Sequence, residues 1–419
     1  MTQDKALEIL KSGKNVFLTG EPGSGKSYTV NLFKDWLDTQ GIPYAVTAST
    51  GIAATHIGGT TIHSWSGLGI KEEVSDAFIE NIYHAKPYVA KKIQYTKVLI
   101  IDEISMLSAE TLNNIERIIA GVRGSFMNSE PWGGMQIVFV GDFFQLPPVV
   151  KNKTEVMFAF EATSWYRSEP VTCYLTEQHR QSDPVFLGIL SGIRNGNITD
   201  DQKKMLRGSW KKEGSPETQL YTHNLDVNLI NSARLREIKD PAELYVMTSE
   251  GNDYLVSMMK KNCLSPEQLY LKKGARVMFT RNKYDKETGE VEYVNGTLGD
   301  VSHFSNGYPV IRTLEGKSIL ARHEEWSIEE NGQVKARIIQ IPLKLAWAVT
   351  VHKSQGMSLD EARIDLGDAF EFGQGYVAIS RVRSLDGLML TRINKKAFEL
   401  HPKVVEADVE FRKESEINV

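Results

Sequence analysis

The sequence predicts an α/β fold in which a parallel β-sheet is covered by helices on both faces. Short apolar runs at 15–19, 43–48, 97–101 and 136–140 lack the polar alternation of a half-exposed strand, which is typical of strands buried on both faces. Helix-like segments separate several of these runs, and strands that alternate with helices favour a parallel sheet. The chain has 419 residues, enough for more than one domain.

The elements follow this order along the chain. The first strand leads into a glycine-rich loop and then into a segment with Val30, Phe33 and Leu37 at helical spacing. Gly41 is typical of a helix end, and a helix is also predicted over 108–123. Beyond about residue 169 the predicted helices are 184–195 and 224–238, and the predicted strands lie near 219–222, 360–366 and 387–391.

The stretch 270–343 has a different pattern. Short strand-like runs are separated by turn-forming pairs such as Asn295–Gly296 and Asn306–Gly307. We therefore expect a small all-β insertion within an otherwise α/β chain.

Composition excludes some classes of protein. The net charge is −4, which excludes a surface uniformly coated in positive charge but is compatible with nucleic-acid binding along a local groove.

No apolar run reaches membrane-spanning length and no targeting segment is evident, so we predict a cytoplasmic protein of bacterial or phage type without a membrane partner. Cys173 and Cys263 lack metal-ligand spacing and are expected to be free thiols.

The loop at 20–27, GEPGSGKS, matches the pattern G-x-x-x-x-G-K-[ST]. It follows a predicted strand and opens a predicted helix, where backbone amides and the helix N-terminus bind phosphate. Lys26 would reach the β- and γ-phosphates and Ser27 would bind Mg²⁺, so ATP and Mg²⁺ are the expected cofactors. The predicted nucleotide-binding residues of the loop are Gly20, Pro22, Gly23, Ser24, Gly25, Lys26 and Ser27.

Two further segments complete a candidate hydrolysis site. Asp102 and Glu103 directly follow the strand 97–101, where Asp102 would hold Mg²⁺ and Glu103 would polarise the attacking water. Gln145, in the segment GDFFQLPP, can hydrogen-bond both the γ-phosphate and that water.

Two arginines could neutralise charge in the transition state. They are Arg180 in TEQHRQ and Arg381 in AISRVR. For either residue alone, an ordinary surface arginine is the better explanation.

Together these segments resemble the motifs of PIF-type (petite integration frequency) superfamily 1B DNA helicases, which are related to RecD-like helicases. The matching segments are 20–27 (motif I), 47–69 (motif Ia and the element after it), 100–107 (motif II), 141–149 (motif III), 175–183 (motif IV), 345–360 (motif V) and 376–388 (motif VI). The stretch 108–135, which contains Gly133–Gly134, resembles the family's own signature between motifs II and III.

The resemblance implies two RecA-like P-loop NTPase domains with ATP between them. The first would comprise 1–168, with a small wedge insertion near 66–95. The second would comprise 169–269 and 344–419, interrupted at 270–343 by a barrel similar to Src-homology-3 domains.

The resemblance also implies roles for single residues. Arg180 and Arg381 correspond to arginine fingers, Gly356 to a glycine near the γ-phosphate, and Gln3 to a glutamine that recognises adenine. Trp65 fits base stacking and a packed aromatic about equally well. The implied DNA contacts are Ser49, Thr50, Thr61, His63, Ser64 and Trp65 in the first domain, and His352, Lys353 and Ser354 in the second.

The implied function is an ATP-dependent DNA helicase of repair, recombination or replication. It would act as a monomeric unit that moves 5′ to 3′ on single-stranded DNA and unwinds tailed duplexes, with four-stranded guanine structures as a further partner. Two alternatives stay open, namely an RNA helicase of the same superfamily and a P-loop clamp or switch that does not translocate. Glu103, Gln145 and the two arginines argue against a clamp, because they suit repeated hydrolysis.

Overall fold

The structure is a computed structural model. It describes the chain except residues 51–52, 55–56, 58, 70, 72, 125–129, 150–154, 179–182, 209–217, 282, 285–290, 294–295, 314–315, 331–332, 356–358, 360 and 418–419. The side chains at 207, 224–226, 258, 262, 284, 291, 328–330, 333 and 353 are also outside the description.

The described part of the chain contains the following regular elements. The helices are Gln3–Lys11 (α1), Lys26–Gln40 (α2), Ile62–Trp65 (α3), Asp76–Ala85 (α4), Pro87–Tyr95 (α5), Ala109–Val122 (α6), Thr163–Ser168 (α7), Pro184–Arg194 (α8), Asp200–Gly208 (α9), Asn224–Glu237 (α10), Asp253–Asn262 (α11), Gln374–Ile379 (α12) and Pro402–Ile417 (α13). The strands are Val16–Gly20 (β1), Tyr44–Ala48 (β2), Thr60–Thr61 (β3), Val98–Asp102 (β4), Gln136–Val140 (β5), Val171–Leu175 (β6), Gln219–Tyr221 (β7), Glu243–Val246 (β8), Thr248–Gly251 (β9), Gln268–Leu271 (β10), Arg276–Phe279 (β11), Lys283–Tyr284 (β12), Val291–Tyr293 (β13), Leu298–Ser305 (β14), Tyr308–Thr313 (β15), Ser318–Leu320 (β16), Glu324–Glu330 (β17), Gln333–Gln340 (β18), Leu343–Leu345 (β19), Ala348–Thr350 (β20), Ala362–Leu366 (β21) and Leu388–Ile393 (β22).

The chain divides into two compact units. The first comprises Met1–Leu206, Ala369–Leu385 and Asn394–Val419, and the second comprises Arg207–Asp368 and Asp386–Ile393. The first unit extends beyond the predicted boundary at residue 168, because β6 pairs with β1. Helix α13 also belongs to it, since the Tyr174 amide of β6 donates to the Ser415 hydroxyl of α13.

A six-stranded parallel sheet forms the centre of the first unit, in the order β3-β2-β4-β5-β1-β6. This confirms the predicted parallel sheet. On one face, α1 and α2 bury Leu10, Phe33 and Leu37 against the strands. The other face carries an aromatic cluster that includes Phe17 and Trp165. Because β1, β4 and β5 are adjacent and parallel, the loops after them meet at one edge of the sheet.

The second unit combines a parallel sheet with antiparallel strands. The parallel sheet has the order β20-β7-β21-β22. The stretch predicted as an all-β insertion contains an antiparallel sheet of order β16-β15-β14-β11-β19. Its strand network begins before residue 270, because β9 pairs with β18.

Among the described residues, no helix is both long and apolar enough to cross a membrane.

Candidate active site

The phosphate-loop sequence lies between β1, which ends at Gly20, and α2, which begins at Lys26. Gly25 has φ +87°, a left-handed conformation that glycine adopts without the steric cost of a Cβ atom. The Lys26 Nζ donates to the carbonyls of Gly20 at 2.7 Å and Glu21 at 3.1 Å. The Lys26 ammonium is thus bonded to the backbone at the start of the loop. This is the strand, loop and helix that the sequence predicts.

Gln3 packs directly on the phosphate loop. Its side chain is buried, and its Nε2 donates to the Ser24 carbonyl at 3.1 Å. A Cβ atom built at Gly25 would overlap the same Nε2. The backbone amide of Gln3 donates to the Glu177 carboxylate at 2.9 Å. Helix α1 therefore lies between the loop and the segment that follows β6. The structure therefore places Gln3 against the loop 20–27, while its contact with a nucleotide and its recognition of adenine stay predictions.

Asp102 and Glu103 lie at the end of β4. The Asp102 Oδ1 accepts the Glu103 amide at 2.8 Å, and Glu103 itself adopts a left-handed conformation with φ 51°. Burial raises the pKa of Asp102, whereas the Glu103 amide and the charge of Lys26 act in the opposite direction. The positive charge of Lys26 thus favours the ionised form of Asp102.

The oxygen donors at this edge of the sheet suit the expected cofactors. Mg²⁺ prefers oxygen ligands and is commonly held by one or two carboxylates together with phosphate oxygens. The carboxylate of Asp102 and the hydroxyl of Ser27 are of this kind. The Ser24 hydroxyl is buried and has no hydrogen-bond partner among the described residues.

The segment after β5 forms a buried turn that carries Gln145. The Gln145 amide donates to the Asp142 carbonyl at 2.9 Å, and the residue is 6% exposed. A Cβ atom built at Gly373 would overlap the carbonyls of Phe144 and Gln145. The start of α12, in front of motif VI, therefore packs directly on this turn.

Arg381 lies just beyond α12 and is 2% exposed. Its Nε donates to the Val377 carbonyl at 2.9 Å and its Nη2 to the Ser380 hydroxyl at 3.0 Å. The residue belongs to the first compact unit, which also holds the phosphate loop. Its assignment as an arginine finger stays a prediction, as do the roles of Arg180 and Gly356, which lie outside the described residues.

Part of the predicted DNA track is bonded to the end of β4. The Ser49 hydroxyl donates to the Glu103 carbonyl at 2.9 Å, and the Ser49 amide donates to the Asp102 carbonyl at 3.3 Å. Both donors of Ser49 are thus engaged within the fold. The Thr50 hydroxyl accepts the Ala53 amide at 3.2 Å and keeps its own proton for another acceptor.

The element after motif Ia exposes polar groups but buries its tryptophan. Thr61 caps α3 by accepting the Ser64 amide at 3.2 Å, and Ser64 is exposed. Burial lowers the pKa of His63. Trp65 is only 3% exposed, with the Lys92 Nζ 5.7 Å from its ring centroid. Of its two interpretations, the structure favours the packed aromatic, because a covered ring cannot stack on a base in this conformation.

In the second unit, one predicted DNA contact is wrong for this conformation. Ser354 is fully buried and its hydroxyl donates to the Val351 carbonyl at 2.8 Å, so it offers nothing to a phosphate. His352 is half-buried, and burial together with the nearby His223 lowers its pKa. The Lys353 side chain lies outside the description.

A buried arginine that the sequence does not predict as a functional residue lies behind the Gln145 turn. Arg194 is 1% exposed, and its Nη2 lies 3.1 Å from Asp142 Oδ1 and 3.4 Å from Asp408 Oδ1. Nothing in the sequence singles out Arg194 at the end of α8. Asp142 could have been found, because it lies within the segment that carries Gln145.

Comparison with known proteins identifies the family. The family model described as PIF1-like helicase matches residues 3–204. The chain is 39% identical to the ATP-dependent DNA helicase Pif1 of Psychrobacter sp., over 98% of this chain and 71% of that protein. It is 36% identical to the ATP-dependent DNA helicase Pif1 of Bdellovibrio bacteriovorus, over 96% and 90%. The helicase of the same name from Xenopus laevis is 38% identical, and the match spans 64% of its length.

Solved structures of the same family have the same fold. The Pif1 helicase of Candida albicans superposes with a TM-score of 0.81 at 34% identity, covering 97% of this chain and 98% of that chain. The Bacteroides Pif1 helicase in complex with ADP-AlF3 and single-stranded DNA superposes with a TM-score of 0.70 at 30% identity, covering 99% and 97%. The α/β sheets fit a two-domain RecA-like helicase. The chain therefore belongs to the PIF1-like family of ATP-dependent DNA helicases.

Proposed function

We propose that this protein is an ATP-driven motor that moves along single-stranded DNA and unwinds tailed duplex DNA. The observation that carries the proposal is the meeting of the phosphate loop, the Asp102–Glu103 strand end and the Gln145 turn at one edge of a parallel sheet. A loop alone would indicate nucleotide binding. The added acidic and amide groups supply what hydrolysis requires.

Each site residue then has a distinct role. Lys26 binds the β- and γ-phosphates, Ser27 and Asp102 hold Mg²⁺, Glu103 polarises the attacking water, and Gln145 contacts the γ-phosphate and that water. The remaining proposed nucleotide contacts are Gln3, Gly356, Arg180 and Arg381, the last two as arginine fingers. When bound, Mg²⁺ neutralises charge on the phosphate oxygens.

Hydrolysis becomes movement when the grip on DNA depends on the nucleotide state. The proposed DNA contacts in the first unit are Thr50, Thr61, His63 and Ser64, and those in the second are His352 and Lys353. Ser49, whose hydroxyl and amide both bond to the end of β4, joins this track to the fold. The hydrogen bond from Ser49 to the Glu103 carbonyl supports a link between the DNA track and the water-polarising residue. Opening a base pair costs roughly 1.4 kcal/mol, so one ATP suffices for one step.

Five finer features of the proposed motor are supported by the family resemblance alone. They are movement from 5′ to 3′, a wedge formed by the region around α4 and α5, a barrel of the Src-homology-3 type in the β-rich region, four-stranded guanine structures as substrates, and a monomer as the basic unit.

The central test is Lys26→Ala. Removing the ammonium should abolish DNA-stimulated ATP turnover. By contrast, Lys34→Ala, which changes a partly exposed lysine on the same helix, should leave turnover within about twofold of wild type. Near-normal turnover in Lys26→Ala would remove the proposed site. Comparing stimulation by DNA and RNA oligonucleotides separates a DNA helicase from an RNA helicase of the same superfamily.

Direction and unwinding are tested together on tailed duplexes. A duplex with only a 5′ single-stranded tail should be unwound with ATP, and one with only a 3′ tail should not. The reverse preference would overturn the proposed direction. DNA-stimulated hydrolysis without strand separation on either substrate would instead support a clamp or switch.

A further inference from the structure

A buried ion network lies behind the turn that carries Gln145. Arg194, the last residue of α8, donates from Nη2 to Asp142 and Asp408, at 3.1 and 3.4 Å, and is almost fully excluded from solvent. Withdrawing a charged group from water costs several kcal/mol, and this cost is offset only where partners compensate it. The carboxylate of Asp142 raises the pKa of Arg194 against the opposing effect of burial, so the guanidinium remains charged.

Arg194 contacts the Gln145 turn at two points. The first is the Asp142 Oδ1, which also accepts the Phe144 amide at 3.2 Å. The second is the Phe144 ring, whose centroid lies 4.2 Å from the guanidinium carbon. Asp142 and Phe144 are the residues that bracket the turn before Gln145, whose amide bonds to the Asp142 carbonyl. The guanidinium therefore fixes the backbone from which Gln145 projects.

The network continues away from the turn. Asp408 on α13 also accepts the Tyr174 hydroxyl at 3.0 Å and the Arg412 Nε at 2.7 Å. Tyr174 lies on β6, which pairs with β1, the strand that ends at the phosphate loop. The turn is thus connected through Arg194 to the sheet that holds the loop and to α13.

We propose that Arg194 is a positioning residue for ATP hydrolysis, which holds the Gln145 turn in register with the phosphate loop through Asp142 and Phe144. The proposal rests on the proposed function, in which Gln145 contacts the γ-phosphate and the attacking water. It predicts an effect on the chemical step more than on nucleotide binding, because Arg194 acts on the turn. A misplacement of about 1 Å can lower a rate about a hundredfold.

The test is a double-mutant cycle between Arg194→Met and Gln145→Ala, measured as steady-state ATP hydrolysis with and without single-stranded DNA. Arg194→Met should lower kcat about ten- to a hundredfold, with KM for ATP within about twofold. In the Gln145→Ala background the same change should lower kcat by less than about twofold, because the group being positioned is already gone. Arg194→Lys, which keeps the charge, should recover part of the rate.

The control is Arg167→Met, which removes a half-exposed arginine paired with Glu116 and should change neither constant by more than about twofold. Should Arg194→Met fail to fold, as judged by near-ultraviolet circular dichroism, Asp408→Asn replaces it. That variant loosens the network but leaves the pair with Asp142 intact, and it should lower kcat only when Gln145 is present.

Equal losses of kcat in both backgrounds, from either variant, would overturn the proposal and make Arg194 a structural residue only. Unchanged kcat in Arg194→Met would do the same. A wild-type protein that hydrolyses ATP without any response to DNA would refute the helicase function instead. The coupling between Arg194 and Gln145 would in that case still be measured on DNA-free hydrolysis.

Discussion

The contact between Gln3 and Gly25 predicts a measurable coupling between two positions far apart in sequence. Gly25→Ala places a methyl group on a residue with φ +87°, where a Cβ atom would overlap the Gln3 Nε2. The variant therefore has two costs. One is the left-handed backbone, and the other is expulsion of Gln3 from its hydrogen bond with the Ser24 carbonyl.

The two costs can be estimated separately. A left-handed conformation costs an L-residue about 1–2 kcal/mol, and loss of one buried hydrogen bond costs about 1 kcal/mol. Gly25→Ala should thus lower the free energy of unfolding by about 2–3 kcal/mol. In a Gln3→Ala background the second cost disappears, so that the same change should cost about 1 kcal/mol less. Since 1 kcal/mol shifts the Tm of a domain of 150–250 residues by about 2–4 °C, the difference is resolvable.

The assay is thermal unfolding without nucleotide, comparing wild type, both single variants and the double variant. Gly13→Ala is the matched control, because Gly13 has φ +81° and a Cβ atom there would meet nothing within 4 Å. Its Tm change should report the backbone cost alone and be the same in both backgrounds. If the Tm loss from Gly25→Ala is equally large with and without Gln3, then Gln3 does not pack on the loop as described.

Three further outcomes follow from the site and its surroundings. Glu103→Gln should bind ATP with nearly normal affinity but lower kcat about a hundredfold or more. A nearly unchanged rate constant of hydrolysis in a single-turnover experiment would show that Glu103 does not polarise the attacking water. Trp65→Ala should lower the free energy of unfolding by about 3–5 kcal/mol and Trp65→Phe by less, because the ring is packed; unchanged Tm with weakened DNA binding would instead support base stacking. Burial raises the pKa of Cys173 to about 12, so iodoacetamide at pH 8 should alkylate it more slowly than the half-buried Cys263. Faster alkylation of Cys173, as detected by mass spectrometry, would contradict its described burial.

The elements that the sequence predicts correctly are those with strong local signals. The run 136–140 coincides with β5, and the helix predicted over 184–195 is observed at Pro184–Arg194. These segments have apolar patterns that their surroundings do not override, and Asp183 caps the helix by accepting the amides of Val185 and Phe186. The phosphate loop was equally predictable, because its spacing, the strand before it and the helix after it all lie within one short stretch.

Burial of individual side chains was much less predictable. Ser354 lies in a polar run that suits phosphate contact, yet the short helical turn His352–Ser354 directs its hydroxyl to the Val351 carbonyl. Trp65 similarly lies among hydroxyl-bearing residues but is covered in the folded unit. In both cases the packing of more distant segments determines whether the side chain is exposed, and the local sequence does not predict that packing.

The other features that the sequence does not predict depend on contacts between residues far apart in the chain. Arg194 lies 52 residues from Asp142 and 214 from Asp408, and no spacing rule relates these positions. Likewise, the family resemblance implies that residues 171–175, which form β6, belong to a second domain beginning at residue 169. In the structure β6 instead pairs with β1, which lies more than a hundred residues earlier in the chain.

The parallel pairing of β2 with β4 explains why the proposed DNA track and the hydrolysis site adjoin. The register places Ala48 beside Asp102, so the next residues along each strand, Ser49 and Glu103, must also be neighbours. Their hydrogen bond is thus a consequence of strand register, which is set by the buried apolar residues of both strands. A phosphate bound near Ser49 would therefore be separated from the backbone of Glu103 by only the Ser49 side chain and one hydrogen bond. If DNA binds along the proposed track, the sheet edge that gathers the proposed ATP-site residues would also supply a route by which DNA binding alters the hydrolytic step.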